Sequence, residues 1–103
     1  MNLKLKSPEM DQLFIAILAL EDLDECYAFF EDACTVNELL SIAQRFEVAK
    51  LLSEDVKYQE ICQRTGASSA TISRVGRALH YGQEGYAKAI ERLHQMESQS
   101  EQE

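Results

Sequence analysis

Two stretches of this chain carry more apolar side chain than one small core can cover, and that excess constrains the fold more than any motif does. Residues 13 to 20 read Leu13-Phe14-Ile15-Ala16-Ile17-Leu18-Ala19-Leu20 without a polar break. Between Leu39 and Leu52, the apolar residues Leu39, Leu40, Ile42, Ala43, Phe46, Val48, Ala49, Leu51 and Leu52 occupy more than one side of a helix. A surface helix normally buries a stripe roughly 100° wide. Both stretches exceed that, and 103 residues leave no room for a second domain to cover the remainder. A second copy of the same chain is the economical cover, preferred to a monomer with one thick core helix. The run from Leu13 to Leu20 is also far short of the roughly 20 residues of a membrane span.

Local signals make the chain helical throughout. Ser7-Pro8 is a capping hydroxyl followed by a proline whose missing N–H costs nothing in a first turn, so a helix is expected from Pro8 toward Leu20. Leu23, Tyr27, Phe30 and Cys34 recur at spacings of four, three and four and predict a second amphipathic helix. Thr35-Val36-Asn37-Glu38 is a capping box that starts a third, expected to be central and buried. A last helix is predicted around Tyr86, Ala89, Ile90, Leu93 and Met96. The reading is one domain over residues 1–96, with an acidic tail over 97–103 expected to be disordered.

The formal charge of −8 disfavours an approach to phosphates, but its distribution is uneven. Residues 1–56 hold 4 basic and 12 acidic side chains, residues 57–80 hold 4 and 1, and residues 81–103 hold 2 and 5. The one basic block coincides with the string from Tyr58 to His80. There, Ile61 and Cys62 lie on a short helix and Cys62 supplies a small residue for a close crossing. Gly66 stands where a turn needs φ > 0, and Ser68 caps a second helix with Ile72, Val75 and Leu79 inward. That is the layout of a helix-turn-helix over about 58–80. Ser69, Ala70, Thr71 and Ser73 allow close approach to base edges, Arg77 and Lys57 suit phosphate contacts, and Gln59 joins this candidate DNA-binding set.

The Thr35 helix start, Arg45, the Gly66-Ala67-Ser68 turn and Ala70-Thr71-Ile72-Ser73-Arg74 together resemble the Trp repressor superfamily. The strings Gln59-Glu60-Ile61 and Thr71-Ile72-Ser73-Arg74-Val75, with Tyr81-Gly82 and Gly85-Tyr86, are most similar to its YerC/YecD family. The resemblance covers about residues 10 to 95. It implies an all-α, six-helix, intertwined homodimer that binds operator DNA through two helix-turn-helix units. It further implies that Arg45, Arg74 and Thr35 match residues around the repressor's amino-acid corepressor, which makes them a candidate effector or anion site. Val75 stands where the repressor has a glycine that leaves room for an indole, and Ala78 where it has a serine that meets the ligand's amino group. Tryptophan is therefore not the expected effector, the effector is unknown, and ion pairing of Arg45 and Arg74 with nearby carboxylates is the favoured use of the pair.

The expected function is a sequence-specific, DNA-binding transcriptional regulator acting as a cytoplasmic dimer on double-stranded DNA, with repression the expected sense. The alternative is an acidic helical adapter dimer that docks another protein and binds no DNA. No enzyme is expected, since the carboxylates lack a paired histidine or nucleophile and no phosphate loop is present. No membrane contact and no cofactor are expected. The leader region offers no signal peptide, because Ser7, Pro8, Glu9 and Asp11 separate Lys4 and Lys6 from the apolar run. Cys26, Cys34 and Cys62 are odd in number and lack zinc-ligand spacing, so no metal is expected.

Overall fold

The computed structural model describes residues 3–102, with side chains described as far as Ser100. Its regular elements are α1 (Pro8–Leu18), α2 (Leu23–Ala33), α3 (Val36–Ser53), α4 (Tyr58–Thr65), α5 (Ser69–Tyr81) and α6 (Gly85–Gln102). No strand occurs among the described residues, so the fold is all-α. The acidic tail expected to be disordered from Glu97 instead continues α6 as helix to Gln102, while Glu103 lies outside the described residues. The chain divides into two compact units, Met1–Leu40 and Ser41–Glu103.

The helix starts follow the capping chemistry. Ser7 Oγ accepts from Met10 N at 3.0 Å ahead of Pro8, which opens α1. Thr35 Oγ1 accepts from Glu38 N at 3.1 Å and Glu38 Oε1 accepts from Thr35 N at 2.8 Å, so the capping box closes in both directions. The Glu38 carboxyl is held below its ordinary value of 4.5, mostly by the backbone N–H of Thr35 and next by the Thr35 side chain. The start of α2 has a comparable lock that its sequence disguises among acidic residues. Asp22 Oδ1 accepts from Glu25 N at 2.8 Å, and Glu25 Oε1 accepts from Glu21 N at 3.0 Å.

Ends are equally specific. After α3, Asp55 takes the left-handed conformation (φ 60°), Asp55 N donates to Leu52 O and Val56 N donates to Leu51 O, both at 3.1 Å. This is a Schellman stop, and Val56, just past it, packs against the core as such motifs require. At the end of α5, a Cβ on Gly82 would lie 2.4 Å from the Ala78 carbonyl oxygen. Only glycine fits there.

All eight buried apolar residues lie in Ser41–Glu103: Val48, Ala49 and Leu51 from α3, Ile61 from α4, Ala67 from the turn, Ile72 and Val75 from α5, and Ile90 from α6. Phe46 and Tyr86, with ring centroids 6.5 Å apart, extend this core between α3 and α6. The expectation of a wholly buried third helix is thus half met. Its C-terminal half is core, whereas Val36, Leu40 and Ile42 are exposed within the single chain. In Met1–Leu40, α1 and α2 bury no residue, and Leu13, Phe14, Ile15, Leu18, Leu23 and Tyr27 are all exposed.

Candidate nucleic-acid interface

Two short helices and a three-residue turn build the site. α4 ends at Gly66, whose φ of 74° is the left-handed value expected of a glycine helix stop, and Gly66 N donates to Cys62 O at 2.9 Å. Thr65 secures the turn. Its hydroxyl donates to Ile61 O at 2.7 Å and accepts from Ala67 N at 3.1 Å. Ala67 is buried, and Ser68 caps α5 by accepting from Thr71 N at 3.1 Å. Ile72 and Val75 then face the core, at 0% and 2% exposure, as their spacing predicted.

The close helix crossing lies elsewhere than the sequence suggested. Cys62 does pack against the core, but the tight approach is at Gly76, which is buried in the middle of α5. A Cβ there would sit 3.2 Å from Tyr58 Oη and 3.7 Å from Leu52 Cδ1, so α3, α4 and α5 converge on a residue without a side chain. The available signal was a glycine interrupting an otherwise amphipathic helix.

With that face inward, the opposite face of α5 is exposed. Ala70, Ser73, Arg74, Arg77 and Tyr81, each three or four residues from another of the set, are all exposed and share one outward stripe. Ser69 is exposed in the first turn beside it, and Lys57 and Gln59 are exposed at the start of α4. Tyr81, 87% exposed, ends the stripe. Thr71 departs from its expected place among the base-reading residues. It is half-buried, and its hydroxyl accepts from Ser68 Oγ at 3.1 Å, so its side chain serves the cap.

The basic block is narrower than its count. Arg64 pairs with Glu60 at 3.2 Å across one helical turn, which leaves Lys57, Arg74 and Arg77 as the block's cations outside any ion pair among the described residues. Surface pairs of this kind contribute little stability but do neutralise charge locally.

A cleft of about 270 Å³ opens beside α5, lined from α3 by Ser41, Gln44 and Arg45, from α5 by Thr71, Arg74, Val75 and Ala78, and from α6 by Tyr86. It brings together Arg45 and Arg74. The ion pairs expected for them do not form: neither arginine meets a carboxylate among the described residues, because the acidic side chains lie outside this lining. Arg45 Nε is buried and has no hydrogen-bond acceptor. Thr35, the third residue of the expected effector site, spends its hydroxyl and its N–H on the capping box. Ser41, Gln44 and Tyr86 complete the cleft; Ser41 and Gln44 carry no sequence signal that singles them out, and Tyr86 was expected as a residue of the last helix. Among the described residues no cluster of histidine, cysteine and carboxylate groups could hold a metal, and no helix is long and apolar enough to cross a membrane.

Comparison with known proteins agrees with this architecture. The uncharacterised protein YerC of Bacillus subtilis (strain 168) is 54% identical over 97 residues, covering 94% of this chain and 93% of that protein. The crystal structure of a TrpR-like protein from Eubacterium eligens superimposes with a TM-score of 0.87 at 61% identity, over 89% of this chain and 95% of that one. A crystal structure from Staphylococcus aureus, provisionally described as a Trp repressor, gives the same TM-score at 47% identity over 91% and 95%. The family model of the Trp repressor protein matches residues 8–94, and the chain belongs to that family.

Proposed function

We propose that the protein is a sequence-specific DNA-binding transcriptional regulator that acts as a homodimer in the cytoplasm, most simply as a repressor. The observation that carries this reading is the exposed stripe of α5. Small residues at its N-terminal end, Ser69, Ala70 and Ser73, permit close approach to base edges, and guanidinium groups follow at Arg74 and Arg77. Lys57, just before α4, and Gln59 in its first turn are the flanking backbone contacts. Family membership supports a regulator rather than an enzyme. The exposed apolar face of α1, α2 and the start of α3 supports the dimer, since eight large apolar side chains from Leu13 to Leu40 are solvent-exposed within one chain.

Arg45 and Arg74 remain the candidate effector site, now with a physical motive for an anion. A buried guanidinium nitrogen without an acceptor is costly, and an oxygen-bearing solute in the cleft would satisfy it. Tryptophan is not that solute on this reading. Val75 is buried in the core and borders the cleft, and Ala78 offers no hydrogen bond.

The test is selection of duplex fragments from chromosomal DNA by the purified protein. The expected product is a palindromic site whose half-sites lie about 34 Å apart. Arg77→Ala should weaken all duplexes to a similar degree, whereas Ser73→Ala should change the preferred sequence. A protein that retains no duplex at low ionic strength would instead be the acidic adapter dimer.

A further inference from the structure

We propose that Gln44 is a positioning residue for the recognition helix, clamping the helix-turn-helix to α3 through the carbonyl of Thr65. The inference rests on the reading of α5 as the DNA-contacting helix. Gln44 Nε2 donates to Thr65 O at 3.1 Å and so joins residues 21 apart. The other bonds around the turn are local: Thr65 to Ile61, Ala67 to Thr65 and Thr71 to Ser68.

The place of this bond makes it a clamp. Thr65 is the last residue of α4, so its carbonyl has no partner within its own helix and depends on a donor from elsewhere. Gln44 supplies one from α3, whose Val48, Ala49 and Leu51 are buried in the core two turns or less away. Thr65 is also the hub of the turn through its hydroxyl bonds to Ile61 and Ala67, and Ser68, the cap of α5, comes next. A displacement at the Thr65 carbonyl therefore reaches the start of α5 within three residues.

The clamp also connects the turn to the cleft. Gln44 and Thr71 both line it, and each is bonded to one end of the turn, Gln44 to Thr65 and Thr71 to Ser68. With Val75 packed in the core, the orientation of α5 is set by the chain's own contacts. An acceptor-bearing solute that captured the Gln44 amide would compete with the Thr65 carbonyl and loosen the turn.

Gln44→Met keeps the length and bulk of the side chain and removes the donor, and Gln44→Glu at neutral pH replaces it with an acceptor. The readouts are affinity for duplex fragments selected by the unmodified protein, and amide hydrogen exchange along the chain. The expected result is about a tenfold weaker affinity for Gln44→Met and a larger loss for Gln44→Glu. Exchange should rise at Gly66 and Ala67 and stay unchanged at Val48, Ala49 and Leu51. Affinity of Gln44→Met within twofold of the parent, or exchange that rises throughout α3, would overturn the proposal. Failure of the unmodified protein to retain any duplex would remove the DNA reading, while the exchange measurement would still decide whether Gln44 holds the turn.

Discussion

Residues 41–103 carry all eight buried apolar side chains, whereas α1 and α2 expose an apolar face and bury nothing. Both units have well-made helix starts, with Ser7, Asp22 and Thr35 capping in the first and Ser68 in the second. Local instructions are therefore of similar quality on the two sides. What differs is the partner available to the apolar face: α3 to α6 find each other within the chain, and Leu18, 84% exposed, finds nothing there. Helix formation is local, but helix stability is mostly tertiary. A chain can thus specify six helices and still lack the means to stabilise two of them alone.

Replacing one isoleucine in each unit, one buried and one exposed, tests the difference most visibly. Ile72→Ala, at a site with 0% exposure, should cost about 2–5 kcal/mol in urea unfolding, independent of protein concentration. Ile15→Asp should leave the core of residues 41–103 untouched yet dissociate the proposed dimer, read as a halved mass in sedimentation. If Ile15→Asp leaves the mass and stability unchanged, the apolar face has no partner and the contrast between the units has another origin.

Smaller changes sharpen the contrast. Gly82→Ala forces a Cβ against the Ala78 carbonyl and should cost about 1–3 kcal/mol by thermal unfolding. Thr35→Ala should cost about 1 kcal/mol as a lost cap. It should also flatten the acid side of the stability profile. Glu38 has a depressed pKa in the folded chain, so its contribution is present above the unfolded value and disappears as pH falls through the folded one. Thr35→Ala keeps the backbone N–H that contributes most, so that dependence should shrink but persist in a pH series of unfolding curves. Asp55→Gly, which relieves a left-handed backbone at the end of α3, should stabilise by less than about 1 kcal/mol.

The sequence was most legible where chemistry is local. Ser7-Pro8, Thr35 with Glu38, Gly66 and Ser68 each announce a boundary through a bond formed within four residues, and all four form. Ile72 and Val75 were legible as inward because a helix repeats every 3.6 residues. Contacts between distant segments were not. Gln44 looks like any surface glutamine until α3 and the end of α4 are brought together, and Gly76 reveals its purpose only when Tyr58 and Leu52 are seen against it. The bond from Thr71 to the cap was not legible for a related reason, since a threonine three residues after a capping serine can serve the cap or the ligand and the pattern does not distinguish them. The tail was misread because composition speaks to the lack of a core, not to the continuation of a helix already begun by Tyr86 and Ile90.

The Arg64–Glu60 pair leaves Lys57, Arg74 and Arg77 as the cations of the basic block, and that small number has a thermodynamic consequence for a dimer on DNA. In the proposed dimer about six neutralised phosphates would release their condensed counterions, which would set a slope of roughly −5.4 in log affinity against log salt. Doubling the ionic strength then weakens binding by roughly 40-fold. Counterion release alone would give such a protein little hold on arbitrary duplex in a cell, so its occupancy of DNA would be governed by sequence and by the ionic state of its surroundings.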